Sequence, residues 1–82
     1  MEKETIIEVV NGLLAEEFEV EQGDITPDAN VKETLSLDSI SLVDLMALVQ
    51  QQFRVTIPLQ DLPKIQTFDN LYDYIFSHQP EA

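Results

Sequence analysis

Cysteine is missing from this chain of 82 residues, so neither a disulfide framework nor a thiolate metal site is available. Histidine is almost missing as well: His78 stands alone near the C-terminus and cannot form a cluster, which argues against metal catalysis. Basic residues are scarce, four Lys and Arg against sixteen Asp and Glu for a net charge of -12. Such a negative field repels nucleic acid and anionic lipid and attracts basic partners. Acidity also keeps small proteins soluble, so charge alone selects no function. Long apolar runs are lacking too. Ile6-Ile7 and Val9-Val10 are interrupted by Glu8 and preceded by Glu2 and Glu4, so neither a signal-peptide core nor a membrane-spanning segment is expected. The expectation is a soluble cytoplasmic protein without membrane insertion. A chain this short builds one hydrophobic core, giving a single domain over 1–78 with a flexible tail at 79–82.

What is present reads as helices. From Lys3 to Phe18 the apolar residues Ile6, Val9, Val10, Leu13, Leu14 and Phe18 fall at helical spacing, and interior Gly12 costs about 1 kcal/mol relative to Ala. From Glu19 to Asp38, Gly23, Asp24, Thr26-Pro27-Asp28 and Asn30 break any period, which predicts a long loop pinned to the core by Val20, Ile25, Val31, Leu35 and Leu37. A second helix is predicted from Ser39 to Phe53, capped by Asp38. Winding it at about 100° per residue puts Leu42, Val43, Leu45, Met46, Val49 and Phe53 on one side and Ser41, Asp44, Leu48 and Gln51 on the other. Arg54 to Pro58 reads as extended, Leu59 to Lys64 as a short helical turn limited by Pro63, and Thr67 as the cap of a last helix ending near Ser77. The fold class is all-α.

Leu35-Ser36-Leu37-Asp38-Ser39-Ile40, Val43-Asp44-Leu45, Phe53 and Ile57-Pro58, taken together, resemble the acyl carrier proteins. Spacing makes the match specific: Phe53 stands fourteen positions and Pro58 nineteen positions after Ser39. The resemblance runs from Leu35 to Ile75 and includes Lys64-Ile65 and Asp73-Tyr74-Ile75. It implies a four-helix bundle with a long loop between the first two helices and a short third helix. It also implies that Ser39 receives 4'-phosphopantetheine, whose thiol carries acyl groups as thioesters in fatty-acid or polyketide-type biosynthesis. Catalytic machinery is not expected, because the base and metal for attachment belong to a phosphopantetheinyl transferase and no histidine lies near Ser39 in sequence. By the same resemblance Asp38, Ile40, Ser41, Asp44, Ala47, Leu48 and Gln51 contact partners. Those partners are the transferase and acyl-transferring or condensing enzymes with basic and apolar patches, engaging a monomeric carrier. Met46, Val49, Ile57, Leu62, Ile65 and Leu71 are expected to line an acyl cleft.

The chain departs from the family pattern in places that bear on cargo and partners. Ser36 stands where glycine is usual, Gln50-Gln51-Gln52 replaces a glutamate run, and Ser41 replaces an acidic residue. Partners are therefore expected to rely more on apolar contact and less on electrostatic steering. Leu62 and Leu71 occupy positions where alanine is frequent, so the cleft is expected to favour short, polar or aryl cargo, an argument that the small Ala47 loosens if it faces the cleft. An aminoacyl, D-alanyl or peptidyl carrier, or an unmodified acidic adaptor bundle, are the alternative functions. Calcium binding through Asp24, Thr26, Asp28 and Asn30 does not fit an EF-hand, which needs glycine and glutamate where Ala29 and Leu35 stand. A weak surface site involving Asp28, Asn30 and Glu33 is the most that loop supports.

Overall fold

A computed structural model describes residues 2–36 and 38–79, the side chains of Ser39 and Ile40 excepted. Leu37 and residues 80–82, hence one expected pinning residue and most of the expected tail, lie outside the described residues. Among the described residues four α-helices follow one another: α1 Lys3–Glu17, α2 Val31–Leu35, α3 Ser39–Phe53 and α4 Phe68–His78. Two 3-10 helices, Gln22–Asp24 and Leu59–Lys64, lie in the connections. Among the described residues the only β-type pairing is an isolated antiparallel bridge, Asn30 with Thr67.

The caps explain where the helices begin. Asp38 Oδ1 accepts the Ser41 amide at 2.8 Å, which starts α3 at the predicted residue. Thr67 and Asn70 form a reciprocal capping box on α4, Asn70 N–H donating to Thr67 Oγ1 at 3.3 Å and Thr67 N–H to Asn70 Oδ1 at 3.2 Å. The connection expected as a loop is partly helical, because Asn30 Oδ1 accepts the Glu33 amide at 3.0 Å and so nucleates α2. Val31 and Leu35, one turn apart on α2, are both buried, as is Ile25, while Val20 is partly buried against the same core. Val31 N–H donates to Gln66 O at 2.9 Å and Phe68 N–H to Ala29 O at 3.2 Å, so the starts of α2 and α4 are fastened together.

Helix α1 packs on α4 through Ile6, Val10 and Leu14 against Phe68, Leu71, Tyr72 and Ile75, all at most 2% exposed. Tyr72 Oη donates to Asn11 Oδ1 within this contact, and Lys3 bridges Asp69 and Asp73 at its edge. Helix α3 buries Leu45, Val49 and Phe53 as expected, with Leu42 and Met46 half-buried. Two residues depart from the expected winding: Val43 is 57% exposed and Leu48 is half-buried. Apolar residues occur most of the way round this helix, so its neighbours, not its own period, decide which are covered. Arg54, expected as extended, is the left-handed cap of α3 at φ 58°, with its N–H on Gln50 O; extended backbone begins after it.

Candidate functional site

The sequence around Ser39 becomes a helix start. Ser36 closes α2 in the left-handed conformation at φ 53°, Asp38 is the exposed cap of α3, and Ser39 is the first helical residue. Ser36 thus adopts a backbone shape that glycine takes without cost. The first turn of α3 contains no acidic side chain, and it lies at the positive end of a fifteen-residue helix. A phosphodiester on Ser39 fits that setting, because the helix dipole favours negative charge there.

Below this position, α3 carries the expected contact residues in two environments. Asp38, Asp44, Ala47 and Gln51 are exposed, whereas Ser41 and Leu48 are half-buried. Ile40 is the second residue of the helix. Exposed Val43 joins them, one turn after Ser39 and one turn before Ala47, so positions 39, 43 and 47 share a face. The signal for Val43 was that i, i+4 spacing, which competes with its place at the edge of the buried stripe.

Behind α3 lies a small cavity lined by Leu42, Leu45, Met46, Ile57, Leu62, Ile65 and Leu71, with Val31 and Lys32 from α2. Five of the expected cleft residues are brought together here: Met46, Ile57, Leu62, Ile65 and Leu71. Val49 is instead buried in the common core and does not line the cavity, and exposed Ala47 faces away from it. Val31, Lys32, Leu42 and Leu45 complete the lining. Which α2 residues reach it depends on the fastening of Val31 to Gln66, a long-range contact with no local sequence signal. The cavity volume is about 10 Å³, the room of one water molecule. Leu62 and Leu71 both line it.

A hydrogen bond holds the outer wall of this cavity. Tyr74 Oη on α4 donates to Asp61 Oδ2 at 2.8 Å, and Asp61 sits in the 3-10 helix that supplies Leu62. The phenol hydrogen bond keeps the Asp61 carboxyl below its ordinary value of 3.8, with Lys64 adding a smaller effect in the same direction. Tyr74 is raised above 10.0, first by burial and then by the bond to Asp61. Its ring stacks on His78 with centroids 4.0 Å apart.

Comparison with known proteins accounts for this arrangement. The phosphopantetheine attachment site family matches residues 8–75, from within α1 to within α4. The acyl carrier protein of Rubrobacter xylanophilus is 32% identical over 79 residues, covering 96% of this chain and 98% of that protein. The acyl carrier proteins of Lactobacillus acidophilus and Lactobacillus johnsonii are 35% and 34% identical over the same length, each covering 96% of this chain and 99% of the relative. The chain belongs to the acyl carrier protein family. Its cofactor is 4'-phosphopantetheine, and it is a carrier, not a catalyst. Among the described residues no helix is long and apolar enough to cross a membrane.

Proposed function

We propose that Ser39 is the attachment residue and that the chain carries acyl intermediates through fatty-acid or polyketide-type chain building in the cytoplasm, as a monomeric single domain over 1–78. The observation that carries this reading is the Asp38-capped start of α3, with Ser39 as its first residue inside the region that matches the attachment-site family. In the attachment step Ser39 Oγ forms an O–P bond to the pyrophosphate of coenzyme A. Its proton passes to a base of the transferase, and the nucleotide half of coenzyme A leaves. When bound, the phosphopantetheine supplies the thiol that holds cargo as a thioester.

The chain itself does the rest by position and contact. Asp38 fixes the helix head through the Ser41 amide, so Ser39 is presented on a rigid element. Exposed Asp38 and Asp44 meet basic residues of the transferase and of acyl-transferring or condensing enzymes. Val43 and Ala47 offer them an apolar strip, flanked by Ser41, Leu48 and Gln51, and Ile40 is a further contact by the family resemblance. Met46, Ile57, Leu62, Ile65 and Leu71 shelter the cargo once the 3-10 helix Leu59–Lys64 yields, since a volume of about 10 Å³ does not admit an acyl chain unchanged.

Intact mass after incubation with coenzyme A and a permissive phosphopantetheinyl transferase tests the assignment. One phosphopantetheine adduct on the wild type and none on a folded Ser39→Ala variant is the expected result. An unmodified wild type, or an adduct that survives in Ser39→Ala, removes Ser39 from this role. Asp44→Lys is expected to load while slowing transfer to partner enzymes at low salt.

A further inference from the structure

A second hollow opens beside the cavity behind α3. It is a cleft of about 270 Å³ lined by Asn30, Lys32, Leu62, Pro63, Ile65 and Gln66. Lys32, Leu62 and Ile65 line both hollows, so the cleft continues the cavity outward between α2 and the 3-10 helix. Their chemistry differs. Apart from Lys32 the inner lining is apolar throughout, whereas the outer one sets a cation and two amide side chains beside three apolar residues.

Lys32 is the informative member of that lining. Lys3 is engaged by Asp69 and Asp73, and Lys64 by Asp61, but the Lys32 ammonium has no ion pair among the described residues, in a chain with sixteen acidic residues. An ammonium offers three donors and a point charge, which suits a carboxylate better than a hydrocarbon end. An alkyl chain long enough to leave the inner cavity would bring its terminal methyl beside that charge, where apolar burial gains little. A chain of the same length ending in a carboxylate would rest its methylenes on Leu62 and Ile65 and place its charge at Lys32, with amide donors from Asn30 and Gln66 within the same cleft.

The geometry points to a cargo subsite at Lys32 that selects acyl groups of medium length ending in a carboxylate. This rests on Ser39 as the attachment residue, and it specifies the cargo that such a carrier favours. Lys32 acts as a specificity-determining residue, touching the far end of the cargo and not the thioester.

The test compares two eight-carbon cargoes, octanoyl and its terminal carboxylate analogue suberyl, each installed on the full chain as acyl-phosphopantetheine from its coenzyme A thioester by a permissive phosphopantetheinyl transferase, the nucleotide half of coenzyme A leaving. Intact mass first establishes loading. Suberyl cargo is expected to move the backbone amide signals of Asn30, Lys32, Leu62, Ile65 and Gln66 relative to the cargo-free, phosphopantetheine-bearing protein, while octanoyl leaves Asn30 and Gln66, which line the outer cleft and not the inner cavity, in place. An ion pair to the exposed Lys32 supports an effect of about two- to fivefold, so suberyl thioester hydrolysis is expected to be slower than octanoyl hydrolysis by that factor. Lys32→Met should abolish both differences, and Lys32→Arg should retain them. Identical shifts for the two cargoes, or suberyl shifts that persist in Lys32→Met, would overturn the subsite. So would free suberate reproducing the same shifts on unloaded protein, because the cleft would then be a general anion site. Failure to load either cargo would instead remove the attachment reading and the subsite with it.

Discussion

Where α1 meets α4, Ile6, Val10, Leu14, Phe68, Tyr72 and Ile75 are each at most 2% exposed, whereas the 3-10 helix Leu59–Lys64 contributes no buried residue of its own. The first contact is closed by apolar packing, by Tyr72 on Asn11 and by the Lys3 bridge to α4. The second leans on half-buried Leu62 and on the Asp61–Tyr74 hydrogen bond, around a cavity that is nearly shut. On the function proposed above, the first contact holds the bundle together and the second is the part that yields to cargo.

The largest expected effect separates the two sides directly. Leu14→Ala should destabilise the protein by about 3 kcal/mol in urea unfolding, because a fully buried leucine leaves a cavity, while Leu62→Ala should cost about 1 kcal/mol. Equal costs would break the comparison. Tyr72→Phe should follow at about 1 kcal/mol by removing the hydrogen bond to Asn11. Burial holds the Tyr72 phenol above 10.0, so its neutral form is favoured in the folded state. The stability this contributes is present below about pH 10 and is lost as pH rises through the folded value. Tyr72→Phe should therefore flatten the alkaline limb of a thermal-stability profile.

Two smaller changes should raise stability, one on each side. In Gly12→Ala the new methyl would meet only Gln22 Nε2 at 3.9 Å, an ordinary contact, and the helix gains about 0.5 to 1 kcal/mol. Ser36→Gly should gain a similar or smaller amount by relieving the left-handed φ of 53°, roughly 0.5 kcal/mol after the added freedom of the unfolded chain is counted. Calorimetry on the two variants reads both. The smallest effect concerns the wall of the cavity. Because the folded carboxyl of Asp61 lies below 3.8, its contribution is present above that value and is lost as pH falls through the folded one. Tyr74→Phe should bring the Asp61 titration back toward 3.8 and remove that acid-limb dependence, measured by carboxyl NMR titration. An Asp61 titration unchanged in Tyr74→Phe would mean that the bond does not hold the wall.

Helix α3 was legible because Asp38 is a strong cap and fifteen residues give the apolar spacing room to show itself. Helix α2 was not, since five residues complete little more than one turn and their helicity comes from Asn30 and from the fastening of Val31 to Gln66. Ser39 was singled out by its spacing to Phe53 and Pro58, a pattern no local propensity contains. Five of the residues named for a cleft line one cavity, while Val49 went to the core and Lys32 came in from α2. Those two outcomes depend on how elements distant in sequence face one another. Val43 and Leu48 teach the same point within one helix: when apolar residues surround it, exposure is set by what packs beside it.

Hydrogen exchange across the whole chain, compared before and after an eight-carbon acyl-phosphopantetheine is installed at Ser39, tests the division most directly. Changed protection confined to α2, α3 and Leu59–Lys64, with α1 and the α1-facing amides of α4 unaltered, is the predicted result. Changes centred on α1 and α4, or none in α3 and Leu59–Lys64, would contradict it.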